Sequence, residues 1–298
     1  MSKYAAVVQM NDTFIPVENR STLDKIPPGS YQLEYDYDRD QLIIEAQKFT
    51  HDEILDIPSP EFQRVIQEME MFLNGDTKQK FDDYGFLYKR SALLHGVPGT
   101  GKTVIVNRIA REVIKNGGIV LFNPHPDILA KGMKAFDDLQ PESTVLVVFE
   151  ELDELISEHR EKPFLNLLDG EIQKNNVMYL ATTNHIENIN PRIYRPGRFA
   201  SLIEVQFPNE QCREFYLAQK LGDPMEAKVW AKKTEGLSID ELKEVVLSVK
   251  CFGNSIDGTV DKILNTKRGN DYKKWKADQD RKNNPLTVLA ESMSIRRG

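Results

Sequence analysis

Cysteine is scarce in this chain. Cys212 and Cys251 are the only two in 298 residues, far apart and without a CxxC partner. Neither a disulfide framework nor a zinc site is expected, and a reducing compartment is the default. Long apolar runs are missing too: nowhere do 18 apolar residues follow one another, so no helical membrane span is expected. The opening residues MSKYAAVVQMNDTF have no basic-then-apolar order, so no secretory leader is expected either, and a cytoplasmic location is the expectation. Nor is there a basic surplus. Lys and Arg number 39 against 46 Asp and Glu, a net charge of −7, which disfavours nucleic acid as the main partner.

What is present is an ordinary globular mixture, 40% hydrophobic and 29% charged, with length for two domains or three small ones. Residues 31–37 and 41–47 read as strands around an Asp38-Arg39-Asp40 turn, so 1–57 is expected to be a small β-rich N-terminal module, separable from the rest of the chain. Ser59 caps a helix with Pro60 at its first position, and Phe62, Val65, Ile66, Met69 and Leu73 recur at helical spacing until Asn74-Gly75. Compact apolar runs at 91–95, 119–122, 145–149, 177–181 and 202–207 suit strands buried on both faces. Helical segments between most of them predict a doubly wound α/β domain over 58–208. After Pro208 the pattern is helical, with a Ser238/Glu241 capping box, and predicts a lid over 209–265. A charged tail, 266–298, completes the division; residues 265–284 carry seven basic and three acidic side chains, read either as a solvated tail or as a contact for an anionic partner.

Gly96-Val97-Pro98-Gly99-Thr100-Gly101-Lys102-Thr103 fits G-x-x-x-x-G-K-[ST], with a strand before it and a helix from Val104 after it. Glycines let backbone N–H groups turn toward phosphate oxygens, and the helix N-terminus adds positive potential. Lys102 can reach the terminal phosphates and the Thr103 hydroxyl can ligate Mg²⁺, so Mg²⁺–ATP, or another Mg²⁺–nucleoside triphosphate, is the implied ligand. Glu150 and Glu151 end the 145–149 strand, where phosphoryl transfer to water needs one carboxylate for the metal and one for the water. Alone they would read as a polar loop. Asn184, ending the next strand, can hold a phosphate or its water, though Thr and Asn also start turns. The loop Asn190–Phe199 carries Arg195 and Arg198 and reads equally as a basic surface turn or as a source of arginine fingers.

In this order the four pieces resemble AAA-type ATPases over roughly residues 84–250. ATTN followed by NPRIYRPGRF is the most specific part. The resemblance implies nucleotide binding by Gly96 to Val104, Lys102 and Thr103 as Walker A residues, Glu150 (with Thr103) toward the metal and Glu151 toward water. It implies Asn184 as sensor 1, Arg195 and Arg198 as fingers for a neighbouring subunit, and a homo-oligomer, a hexameric ring acting on a protein client. Tyr84 and Gly85 stand where relatives hold the adenine, with packing an equal reading for Tyr84. Phe164–Gly170 and Thr182–His185 are similar to the mitochondrial AAA chaperones that translocate the Rieske protein, whose membrane span has no counterpart here.

Three departures stand out. Glu150 replaces the usual Asp. Ala130-Lys131-Gly132-Met133 lies where relatives carry an aromatic pore loop. In the lid, Gly236-Leu237-Ser238-Ile239-Asp240 replaces the usual Gly-Ala pair, and no sensor 2 arginine is evident. A nucleic-acid motor or loader and an ATP-gated assembly protein with little turnover are the rival readings.

Overall fold

The computed structural model describes residues 6–10, 13–17, 23–47, 55–159, 161–169 and 175–267. The basic stretch at 265–284 therefore lies, from 268 onward, outside the described residues, as does Gly170. A two-stranded antiparallel hairpin comes first, β1 (Ala6–Met10) and β2 (Thr13–Val17), followed by a second hairpin, β3 (Gly29–Asp36) and β4 (Gln41–Gln47). Then come α1 (Pro60–Phe72), α2 (Gly75–Asp83), β5 (Lys89–His95), α3 (Lys102–Lys115), β6 (Ile119–Phe122), α4 (Pro126–Leu139) and β7 (Val145–Phe149). The α/β part closes with α5 (Leu152–His159), α6 (Glu161–Asp169), β8 (Val177–Thr183) and β9 (Ser201–Glu204). Four lid helices follow, α7 (Glu210–Leu221), α8 (Pro224–Lys233), α9 (Ile239–Val246) and α10 (Ile256–Lys267).

β3 to β9 make one seven-stranded sheet in the order β4-β3-β6-β7-β8-β5-β9, parallel except for the β3–β4 pair. Both faces are covered, and β7 shows how. Val145, Val147 and Phe149 join a core with α4 and α6, while Leu146 and Val148 join the opposite core with α1 and α3. Period-2 alternation between two apolar layers is what a continuous Val/Leu/Phe run encodes in a doubly wound sheet.

The second half of the β-rich segment is not a separate module. β3 pairs in parallel with β6, Gly29 opposite Ile119 and Tyr31 opposite Leu121, so the hairpin widens the main sheet. The physical reason is an edge to cover: without β3, the buried strand β6 would present its N–H and C=O groups unpaired. Tyr31 and Leu33 sit in the same core as Met133 and Phe136 of α4. A Cβ on Gly132 would lie 2.5 Å from Leu33 Cδ1, so glycine is what lets α4 approach β3 this closely. Lys131 places its amine 3.2 Å from the centre of the Tyr35 ring. The Ala130–Met133 stretch therefore lies inside one continuous helix and holds the hairpin; it is not a projecting loop.

The lid has its own core of Cys212, Tyr216, Leu217, Trp230, Leu237, Leu242 and Val245, which Ile57 joins from the segment before α1. Buried Arg213 donates to Pro208 O at 2.8 Å and Ala231 O at 3.1 Å, tying α7 to the segment that enters the lid and to α8.

Because Leu33 is only 4% exposed, Leu33→Ala should cost about 2–5 kcal/mol of unfolding free energy in urea titration. A chain beginning near Thr50 should melt well below the full chain. An unchanged melting temperature would contradict the hairpin's place in the core.

Candidate active site

The site is built at the carboxyl edge of the sheet, where parallel strands release their loops. β5 ends at His95, whose carbonyl accepts the Val205 N–H at 2.7 Å. The next residue, Gly96, has φ +147, and a Cβ there would lie 2.3 Å from Val205 O. Only glycine permits that turn. The loop then passes Gly99 and Gly101, both at positive φ, and enters α3, whose start carries no side-chain cap. Its first amides are thus left for an anion.

Lys102, 7% exposed, donates to Gly96 O at 2.8 Å and Val97 O at 3.0 Å, folded back on its own loop. Burial pushes its amine down to about 8, partly opposed by Asp240, Asp153 and Glu151. Asp240 belongs to the lid. Its N–H donates to Gly99 O at 3.3 Å, so the first turn of α9 rests on the loop.

The carboxylates are fixed by the ends of neighbouring strands. Asn123, just past β6, accepts the Glu150 N–H at 2.7 Å, and Thr182 Oγ1 accepts the Glu151 N–H at 3.3 Å. Glu151 itself adopts φ +53, a left-handed conformation uncommon for a side chain of its size and typical of functional turns. Thr183 donates to Asp153 at 2.6 Å. A cleft of about 480 Å³ brings together Gly99, Lys102, Thr103, Glu150, Glu151 and Asn184, with Asp240 closing it from the lid. Among the described residues no group of three or more His, Cys, Asp or Glu could hold a metal alone. The Thr103 hydroxyl and Glu150 carboxylate instead suit a hard cation that keeps waters and shares ligand oxygens.

Two of the groups read from the sequence lie away from this cleft. Tyr84 is 77% exposed and stacks on Phe86 at 6.4 Å. It and Gly85 precede the amino end of β5, whereas the glycine loop leaves the carboxyl end, about 20 Å away along seven residues. A smaller cavity of about 160 Å³ adjoins the loop instead, walled by Ile57, Gly101, Ile105, Val205, Phe207 and Ile239. The arginines do not line the cleft of their own chain. Arg198 forks onto Asp169, Nε to Oδ1 at 2.6 Å and Nη2 to Oδ2 at 2.7 Å, and this pairing holds the Asp169 carboxyl below its usual range. Arg195 is exposed and forms no ion pair among the described residues.

Asn123, Asp153, Thr182 and Asp240 escaped the sequence reading as site residues. The signal for Asn123 and Thr182 was the one that found Glu150: a polar residue at the end of a buried strand. Asp240 needed the lid's position, which no local pattern carries.

Residues 92–207 match the family described as ATPase family associated with various cellular activities (AAA). A proteasome-activating nucleotidase of Aeropyrum pernix is 32% identical over 190 residues, 56% of this chain and 46% of that protein. Proteasome-activating nucleotidase 1 of Haloferax volcanii is 28% identical over 222 residues, 67% of this chain and 54% of that protein. Protein CdcH of Halobacterium salinarum is 26% identical over 196 residues, 59% and 26% of the two chains. The chain thus spans about half the length, or less, of these curated relatives. The sheet order and the convergence of the glycine loop, the strand-end carboxylates and Asn184 on one cleft agree with the family match, which assigns an AAA ATPase domain to residues 92–207.

Proposed function

We propose that this protein binds Mg²⁺–ATP between the glycine loop and the lid and hydrolyses it in a homo-oligomeric ring. The observation that carries the reading is the convergence of Lys102, Thr103, Glu150, Glu151 and Asn184 on one cleft. The loop amides and Lys102 hold the phosphates; Thr103 and Glu150 would hold the magnesium ion. When bound, that ion neutralises charge on the phosphate oxygens. Glu151, in its left-handed turn, polarises the attacking water, and Asn184 orients water or the terminal phosphate. The apolar cavity beside Gly101 seats the purine base.

The ring reading rests on the exposed arginine loop and on the similarity to the proteasome-activating nucleotidases. Arg195 is the finger in this proposal. Arg198, tied to Asp169 and to the Arg192 carbonyl, positions the loop that presents it. The client is a protein, acted on without threading through an aromatic pore loop, since α4 runs unbroken through that segment. The finer likeness to the Rieske-translocating chaperones rests on the motifs at 164–170 and 182–185 alone. A second reading, an ATP-gated assembly protein with little turnover, is favoured by Glu150 and that same helix; a turnover rate near zero in the assembled state would select it.

Lys102→Ala should weaken ATP binding at least tenfold by calorimetry, about one charge-assisted hydrogen bond. Glu151→Gln should bind ATP normally while hydrolysis falls about 10²–10⁴-fold. Unaltered affinity in the first, or undiminished turnover in the second, contradicts the assignment.

Arg195→Ala should bind ATP like wild type yet hydrolyse it about 10³-fold more slowly. Mixing it with Lys102→Ala protein should restore part of the rate, because each supplies what the other lacks. Asp169→Asn should resemble Arg198→Ala if Arg198 only positions the loop. If Arg198→Ala is severe while Asp169→Asn is silent, Arg198 is the finger.

A further inference from the structure

Of the acids around Lys102, Glu150, Glu151 and Asp153 come from the sheet edge and have roles or partners there. Asp240 comes from the lid and has neither a metal nor a water role in the proposed hydrolysis. Its placement is specific. Its N–H donates to Gly99 O at 3.3 Å, and a Cβ on Gly99 would lie 3.1 Å from Asp240 Oδ2. It borders the same cleft as Lys102 and Thr103.

The turn that carries it is held rigidly. Ser238 and Glu241 form a reciprocal capping box, with the Glu241 carboxylate accepting the Ser238 N–H at 2.7 Å. Ile239, between them, is buried in the lid core. The capping box and buried Ile239 thus set where Asp240 stands against the loop.

A fixed carboxylate at a phosphate-binding mouth opposes an anionic ligand in proportion to that ligand's charge. Metal-free ATP carries about four negative charges and its magnesium complex about two, so the first is opposed about twice as strongly in energy. Resting on the proposed nucleotide site, the geometry points to Asp240 as a lid-borne specificity residue that selects metal-complexed over metal-free nucleoside triphosphate.

The test is calorimetric ATP titration of the full chain, once with excess Mg²⁺ and once with EDTA, for wild type, Asp240→Asn and Asp240→Glu. Asp240→Asn should bind metal-free ATP about tenfold tighter and the magnesium complex about threefold tighter, while Asp240→Glu stays near wild type. Asp240→Ala, checked by circular dichroism, removes the same charge should the Asn variant fold poorly. Unchanged or weaker metal-free binding in the folded neutral variants overturns the proposal. So does loss confined to the magnesium complex, which would make Asp240 a metal ligand. If wild type binds ATP under neither condition, the nucleotide reading fails instead, and the two failures are thereby distinguished.

Discussion

Everything at the site depends on how closely the glycine loop approaches the end of β9. Gly96 takes a backbone conformation closed to other residues and packs against the Val205 carbonyl, while Val205 donates back to His95. That pair of contacts fixes where the chain leaves β5, and so where α3 starts. The helix entrance, Lys102 and Thr103 then fall opposite the ends of β7 and β8. The site is an edge property of the sheet: its donors and acceptors are in place because their strands are locked on both faces by apolar side chains.

The same packing logic explains the hairpin. β6 would be an edge strand with an unpaired hydrogen-bonding row; β3 covers it, and the new edge is β4, whose residues are mostly exposed. Leu33 against Gly132 and Tyr35 beneath Lys131 fasten the hairpin to α4. In this chain, residues between β6 and β7 serve sheet closure. The lid meets the cleft on the other side, where Ser238 and Asp240 lie against Gly99.

How far the sequence could be read depends on how local each signal is. β6 and β7 were legible to the residue because a run buried on both faces begins and ends with its apolar side chains. The Ser59 cap and the Ser238/Glu241 box were legible because each lies within four residues. Asn74-Gly75 read as a helix stop, yet Asn74 also caps a second helix by accepting the Asp76 N–H at 3.1 Å; α2 has no buried residue and so no apolar stripe to reveal it. The hairpin's attachment depended on pairing across about 90 residues, and Tyr84 on the polarity of a strand that comes after it. The glycine loop, Glu150, Glu151 and Asn184 lay in recognisable strand-end positions. The distinction between Arg195 and Arg198 did not, because it is made by Asp169, a residue of a different helix.

The central claim is that phosphates are held by the backbone from Gly96 to Thr103 beneath the first turn of α9. Hydrogen–deuterium exchange of the full chain, with and without Mg²⁺–ATP, tests it most directly, because it reports on those amides without altering any residue. Slower exchange in peptides covering 96–104, accompanied by a change at 238–242 and none in the outer strand β4, is the predicted result. Protection that appears elsewhere while the 96–104 peptides exchange at the same rate with and without nucleotide would contradict it.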